Sequence, residues 1–269
     1  MMAISNVARI TTSHSERQGI SMKKILAILL AALLLLPVCA FAASPVTITS
    51  VRDNGDCTVS MNFKNPNGSK TTVGAMIIGD DGAGNKLIVD ETYGSSYQFD
   101  WLAPGESYMV VAMNGYDTDT MGYDIVSVKE PSKFNKFFFE VMDTQLTYFV
   151  PKGNSYSYNF ANDLSPREIQ NLLSDKEFWV RIDFNLVANT SDRTEKVLTV
   201  VRCPNGYVAT QASTVDIEAY TTSFWQTMVY MNGAFENMID ATGSIPTGTY
   251  QVRVYLDGQF AGSSSFSIY

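Results

Sequence analysis

Histidine is nearly missing from this chain of 269 residues: the single one, His14, lies ahead of a hydrophobic leader. A protein processed after that leader has no histidine. This excludes Ser-His-Asp and Cys-His nucleophile sites and any histidine-ligated metal. Cysteine is scarce as well, with Cys39, Cys57 and Cys203 far apart, so neither a disulfide framework nor a zinc site is spelled out. No G-x-S-x-G, Walker loop or dinucleotide fingerprint occurs, and no Ser-x-x-Lys follows the leader. No cofactor, metal or catalytic residue is expected. Basic side chains are also in short supply, 19 against 27 acidic, for a net charge of −8.

The longest apolar run sits in "MKKILAILLAALLLLPVCAFAA", residues 22–43. Lys23 and Lys24 form a positive n-region, Ile25 to Leu36 an apolar core, and Ala40-Phe41-Ala42 an A-x-A cleavage site. A core of about a dozen residues falls short of the ~20 that span a bilayer. Residues 22–42 read as a bacterial Sec signal and 1–21 as an upstream extension, with translation starting at Met22. The alternatives are an uncleaved anchor or lipidation at Cys39, where Val38 is a poor preceding residue. Cleavage after Ala42 removes Arg9, Arg17, Lys23, Lys24 and Glu16, leaving 15 basic and 26 acidic side chains and a net charge of −11. Such a chain repels phosphate backbones, so nucleic acid is not an expected partner. No membrane span remains after cleavage, and the expected location is secreted or cell-surface.

Residues 43–269 carry short alternating segments separated by turn residues, the mark of an all-β fold. "CTVSMNF" alternates Cys57, Val59, Met61 and Phe63 with polar residues. "VGAMIIGDDGAGNKLIVDETY" reads as two strands around the turn "DDGAGN" at 80–85, and "SYMVVAMNG" and "YDIVSV" follow. A second block begins at "FNKFFFEVMD". In it "FWVRIDFNL" sets Val180, Ile182, Phe184 and Leu186 against Trp179, Arg181, Asp183 and Asn185. "EKVLTVVRCPNGYVATQ" and "GTYQVRVYLDGQFAGSSSFSI" read as hairpins. One helix is expected at 166–176, capped by Ser165, opened by Pro166 and boxed by Glu168, with Ile169, Leu172 and Leu173 on its apolar stripe. The length suits two tandem antiparallel β-sandwiches, at 45–130 and 134–269, the helix belonging to the second.

Both blocks end alike. Pro104 precedes Tyr108 by four residues and Pro246 precedes Tyr250 by four; valine follows each tyrosine by two, and Gly115 and Gly258 close the strands. "FDWLAPGESYMVVAMNG" resembles the E–F corner of a fibronectin type III module through Leu102, Pro104, Gly105, Tyr108 and Val110. The resemblance covers roughly residues 45–130 and implies an immunoglobulin-like sandwich whose Tyr108 hydroxyl bonds back to nearby backbone. It departs from the family at the B strand, where Phe63 stands in place of a tryptophan. The second block reads as a generic bacterial immunoglobulin-like sandwich, with Tyr250 as its corner residue. Fold resemblance does not carry function.

"DTDTMGYD" at Asp117–Asp124 has carboxylates at the first and third positions of a calcium loop, but Met121 at the fifth and Val128 at the twelfth are no ligands, so it reads as a polar loop. Strand parity puts Cys57 and Cys203 on apolar faces as buried free thiols. It puts Trp179 and Arg181, and likewise Tyr255 beside Arg253, on polar faces. Exposed planar rings can stack on sugars or anchor a protein; Tyr156, Tyr158, Tyr220 and Trp225 add to the supply. The function expected is that of a non-enzymatic extracellular module. It would bind a glycan or protein partner through the second sandwich at Trp179, Arg181 and Tyr255. The alternatives are a structural envelope component and a carboxylate-based hydrolase.

Overall fold

The computed structural model describes residues 43–68, 70–78, 88–132, 139–152, 155–187 and 189–269. The leader, the turn at 80–85 and the start of the second block at 134–138 lie outside the described residues.

The first half folds as β1 (Thr47–Asp53), β2 (Val59–Lys64), β3 (Thr71–Ile77), β4 (Ile88–Thr92), β5 (Ser96–Phe99), β6 (Ser107–Asn114) and β7 (Asp117–Ser127). These strands form two antiparallel sheets, β1-β2-β5 and β4-β3-β6-β7. Alternation places Val59, Met61 and Phe63 of β2 against Val73, Ala75, Val110 and Ala112 across the sandwich. "DTDTMGYD" is strand rather than loop: Asn114 pairs with Asp117 around a tight turn, and the Thr120 hydroxyl donates to the Asp117 carbonyl at 2.7 Å.

The second half comprises β8 (Phe139–Lys152), β9 (Ser155–Phe160), α1 (Pro166–Leu172), β10 (Glu177–Leu186), β11 (Arg193–Arg202), β12 (Val208–Ile217), β13 (Ser223–Tyr230), α2 (Asn232–Thr242), β14 (Gly248–Leu256) and β15 (Gln259–Ile268). Its sheets run β13-β10-β8-β9 and β12-β11-β14-β15. The fold is therefore all-β, two antiparallel sandwiches in tandem. Helix α1 has the expected capping box, with the Ser165 N–H donating to Glu168 Oε2 at 2.8 Å, but ends at Leu172 where the sequence suggested 176. A second helix, α2, was not foreseen; it covers the core with Ala234, Phe235 and Met238 and stops at Gly243, whose φ of 84° only glycine adopts freely.

Both corners are built. Pro104 and Gly105 (φ 84°) turn the chain, and the buried Tyr108 hydroxyl accepts the Ala103 N–H at 2.8 Å. In the second half the Tyr250 hydroxyl donates to the Pro246 carbonyl at 2.7 Å. Replacing Tyr108 with phenylalanine leaves the Ala103 N–H buried without its acceptor. It should cost about 1–2 kcal/mol in urea unfolding; an unchanged midpoint would mean that the corner needs no hydroxyl.

The two sandwiches are fused through one sheet. Val197, Val201, Val252, Val254 and Leu256 face the second core, while Leu198, Val200, Val208 and Tyr255, on the opposite face of the same sheet, belong to the core of the first half. Polar contacts rim this junction. Arg202 donates to Glu106 Oε1 from Nε (3.0 Å) and Nη2 (2.8 Å) and to the Pro104 carbonyl at 2.6 Å. Glu130 accepts from Arg253 Nη1 at 2.9 Å and from the Tyr255 hydroxyl at 3.0 Å. Gly258, at φ 77°, lets the β14–β15 turn press on Asp56: a Cβ there would come within 2.6 Å of the Asp56 carbonyl oxygen.

Candidate functional site

The alternation of β10 buries Phe178, Val180, Ile182, Phe184 and Leu186 and leaves Trp179, Arg181 and Asp183 on the outer face. Register then decides what joins them. Across β13, Trp179 pairs with Tyr230 and Asp183 with Trp225; across β8, Arg181 pairs with Gln145; and beyond it β9 brings Tyr158 and Phe160. The outer face of β13-β10-β8-β9 is thus lined with rings. Phe160 is 49 % exposed, Tyr230 42 % and Tyr158 39 %.

Arg181 organises this face. Its guanidinium lies 4.5 Å from the Trp225 ring centroid, 5.4 Å from Tyr158 and 5.5 Å from Phe160. Nε donates to Asp183 Oδ1 at 2.8 Å, and the side chain is only 13 % exposed. The cation is spent internally, holding rings from opposite edge strands together. Trp225 and Tyr158 approach to 5.1 Å over it, and Trp179 and Tyr230 form a second pair, also at 5.1 Å. The β10 partners of Tyr230 and Trp225, Trp179 and Asp183, stand four residues apart, about 13 Å along the strand. Asp143, Glu177 and Asp183 outnumber the one guanidinium, so the face carries no surplus positive charge.

Tyr255 does not join it. Its side chain is 0 % exposed and lies in the junction, edge-on to Phe260 at 5.7 Å between centroids. The parity that set it beside Arg253 was right, but the face it shares with Arg253 is the one the first sandwich covers. Tyr220 is exposed with no ring partner among the described residues. Phe160 and Tyr230 were not singled out from sequence; their positions in register with β8 and β10 are set by pairing partners remote in the chain.

No family model matches the chain, and no curated protein matches it. Among solved structures it is similar to a segment of two fibronectin type III domains from chicken tenascin, at 10 % identity over 81 % of this chain and 95 % of that one, with a TM-score of 0.27. It is also similar to the FN1-FN3 domains of chicken CNTN1, at 10 % identity over 84 % and 97 %, with a TM-score of 0.23. Superpositions this loose carry no argument. Strand order and the corners make each half a β-sandwich of the fibronectin type III and immunoglobulin-like kind.

Burial holds two thiols and three phenols in their neutral forms. Cys57 and Cys203 are free and buried, in different cores. Burial, with help from Asp56, Glu130 and Asp53, pushes the Cys57 thiol from 9.0 up to about 12; burial alone raises Cys203. Burial likewise raises the phenols of Tyr108, Tyr250 and Tyr255. A thiol reagent at neutral pH should label neither cysteine until the chain unfolds, and reductant should leave the melting temperature unchanged. These acids ionise more easily in the unfolded chain, so their contribution is fully present below pH 9.0 and is lost as pH climbs toward about 12. Urea midpoints should therefore fall steadily above pH 9; a flat profile would contradict the burial of these groups.

Among the described residues no group of three or more His, Cys, Asp or Glu could hold a metal ion, and no helix is long and apolar enough to cross a membrane.

Proposed function

We propose that this chain is a secreted bacterial module protein of the extracellular or cell-surface compartment. It binds a neutral glycan through the outer face of β13-β10-β8-β9 and performs no catalysis of its own. Secretion and a bacterial source rest on the two-lysine, twelve-residue apolar leader with its A-x-A site. A non-catalytic role rests on the lack of histidine after the leader and of nucleophile motifs in the sequence. The glycan reading rests on one observation: two ring pairs, Trp179 with Tyr230 and Trp225 with Tyr158, set on a rigid sheet around a neutralised arginine. Sugar rings offer C–H faces to aromatic planes and hydroxyls to flanking polar groups, here Gln145 and Asp183. Carboxylates outnumber cations on the face, which favours a neutral glycan over an acidic one.

Glycan-array binding followed by affinity electrophoresis tests this. Trp179→Ala and Trp225→Ala should each weaken retention by at least about tenfold, as removal of a central aromatic anchor does. Silence on the array, combined with capture of a cell-surface protein that Trp179→Ala abolishes, would move the reading to a protein partner. Binding that neither substitution alters would remove this face from the function.

A further inference from the structure

A cleft of about 660 Å³ opens where the two sandwiches meet. Asp56, Gln98, Asp100 and Trp101 line it from the first half, Lys196 and Asp257 from the second. From these residues we infer a second binding site, for an amino sugar or a short glucosamine oligomer. The volume falls in the range of small-molecule sites, which favour domain junctions. The fused junction fixes the walls. Gly258 packs on Asp56, the Leu102 N–H donates to the Cys57 carbonyl at 2.9 Å next to Trp101, and the Asp257 N–H donates to the Lys196 carbonyl at 2.9 Å.

The chemistry of the lining selects the ligand. The Trp101 indole offers an apolar plane for a sugar's C–H face. Each carboxylate has one oxygen committed locally: Asp56 Oδ1 accepts from the Thr58 hydroxyl at 2.6 Å, Asp100 Oδ1 from Gln98 Nε2 at 2.8 Å, and Asp257 Oδ1 from the Lys196 N–H at 3.3 Å. The second oxygen of each accepts no hydrogen bond among the described residues, which leaves three anionic acceptors against one ammonium group. A ligand rich in hydroxyl donors and bearing a positive charge satisfies them. A sugar acid would add a fourth carboxylate, and an N-acetylated sugar gives up the ion pair and the charge-assisted hydrogen bonds.

Calorimetric titration of the full chain with a glucosamine trimer and with its N-acetylated counterpart tests the inference. The free-amine trimer should bind at least tenfold more tightly, and added salt should weaken it. Asp100→Asn with Asp257→Asn, which keep side-chain size, should lower its affinity at least tenfold while the melting temperature shows the fold intact. Equal binding of both trimers, binding of neither, or amine binding unaffected by the double substitution would overturn the site. Loss of amine binding in Trp179→Ala would place the ligand on the aromatic face and overturn it too, whereas the glycan reading of that face stands or fails on the neutral polysaccharides alone.

Discussion

Replacing Tyr255 with alanine should cost about 3–5 kcal/mol, the range for deleting a fully buried large aromatic, and should split one unfolding transition into two. The ring closes the junction beside Leu198 and Val200, and its hydroxyl holds Glu130, which in turn holds Arg253. Without it the first sandwich keeps its own two sheets but loses the plug that joins its core to β11 and β14. Differential scanning calorimetry of the wild type should show a single endotherm, because a shared core couples the halves; the variant should show two. A single unshifted endotherm in the variant would mean that the sandwiches behave as separate bodies. Tyr255→Phe keeps the ring and gives up only the hydrogen bond to a charged group, so it should cost roughly 1.5–3 kcal/mol.

Asn232→Ala should be nearly as damaging, at about 3–5 kcal/mol. Asn232 opens α2 and is buried. Its Oδ1 accepts the Phe178 N–H at 2.7 Å, and its Nδ2 donates to the carbonyls of Lys176 at 2.7 Å and Leu173 at 3.1 Å. One amide thus ties the end of α1, the start of β10 and the start of α2 together. Alanine strands three backbone groups away from water. Aspartate keeps the acceptor but repels both carbonyls, so it should be no milder. Urea denaturation measures both; a loss below about 1 kcal/mol would mean that water reaches these groups and replaces the amide.

What was legible in the sequence was local. The alternation of "FWVRIDFNL", the Pro-Gly turn before Tyr108 and the box of Ser165 and Glu168 each involve residues within a few positions of one another, and the structure contains all three. Helix α2 went unseen because it carries no local start signal: Met231 caps it without a side-chain hydrogen bond, and Gly233 weakens its first turn. The fate of Tyr255 was not local at all. A signal did exist in "VLTVV", residues 197–201, all buried, since an apolar run broken only by Thr199 marks a strand covered on both faces, whereas alternation marks one covered on a single face. The aromatic face was half legible: parity put Trp179 and Arg181 outward, but only strand pairing could bring Trp225, Tyr158 and Phe160 around the guanidinium.

The sheet covered on both faces also imposes an order on the birth of the molecule. Cys57 faces Gly258 across 201 positions, and Glu130 meets Tyr255 across 125. Chains are synthesised from the N-terminus, and halves with their own sheets form as units when they emerge. The first sandwich must therefore wait, with the apolar surface that Leu198, Val200, Val208 and Tyr255 later cover left bare, until β11, β12 and β14 are made. During that interval it is a nascent chain prone to sticking to its neighbours, and a helper that shields apolar surface would act there rather than on the finished protein.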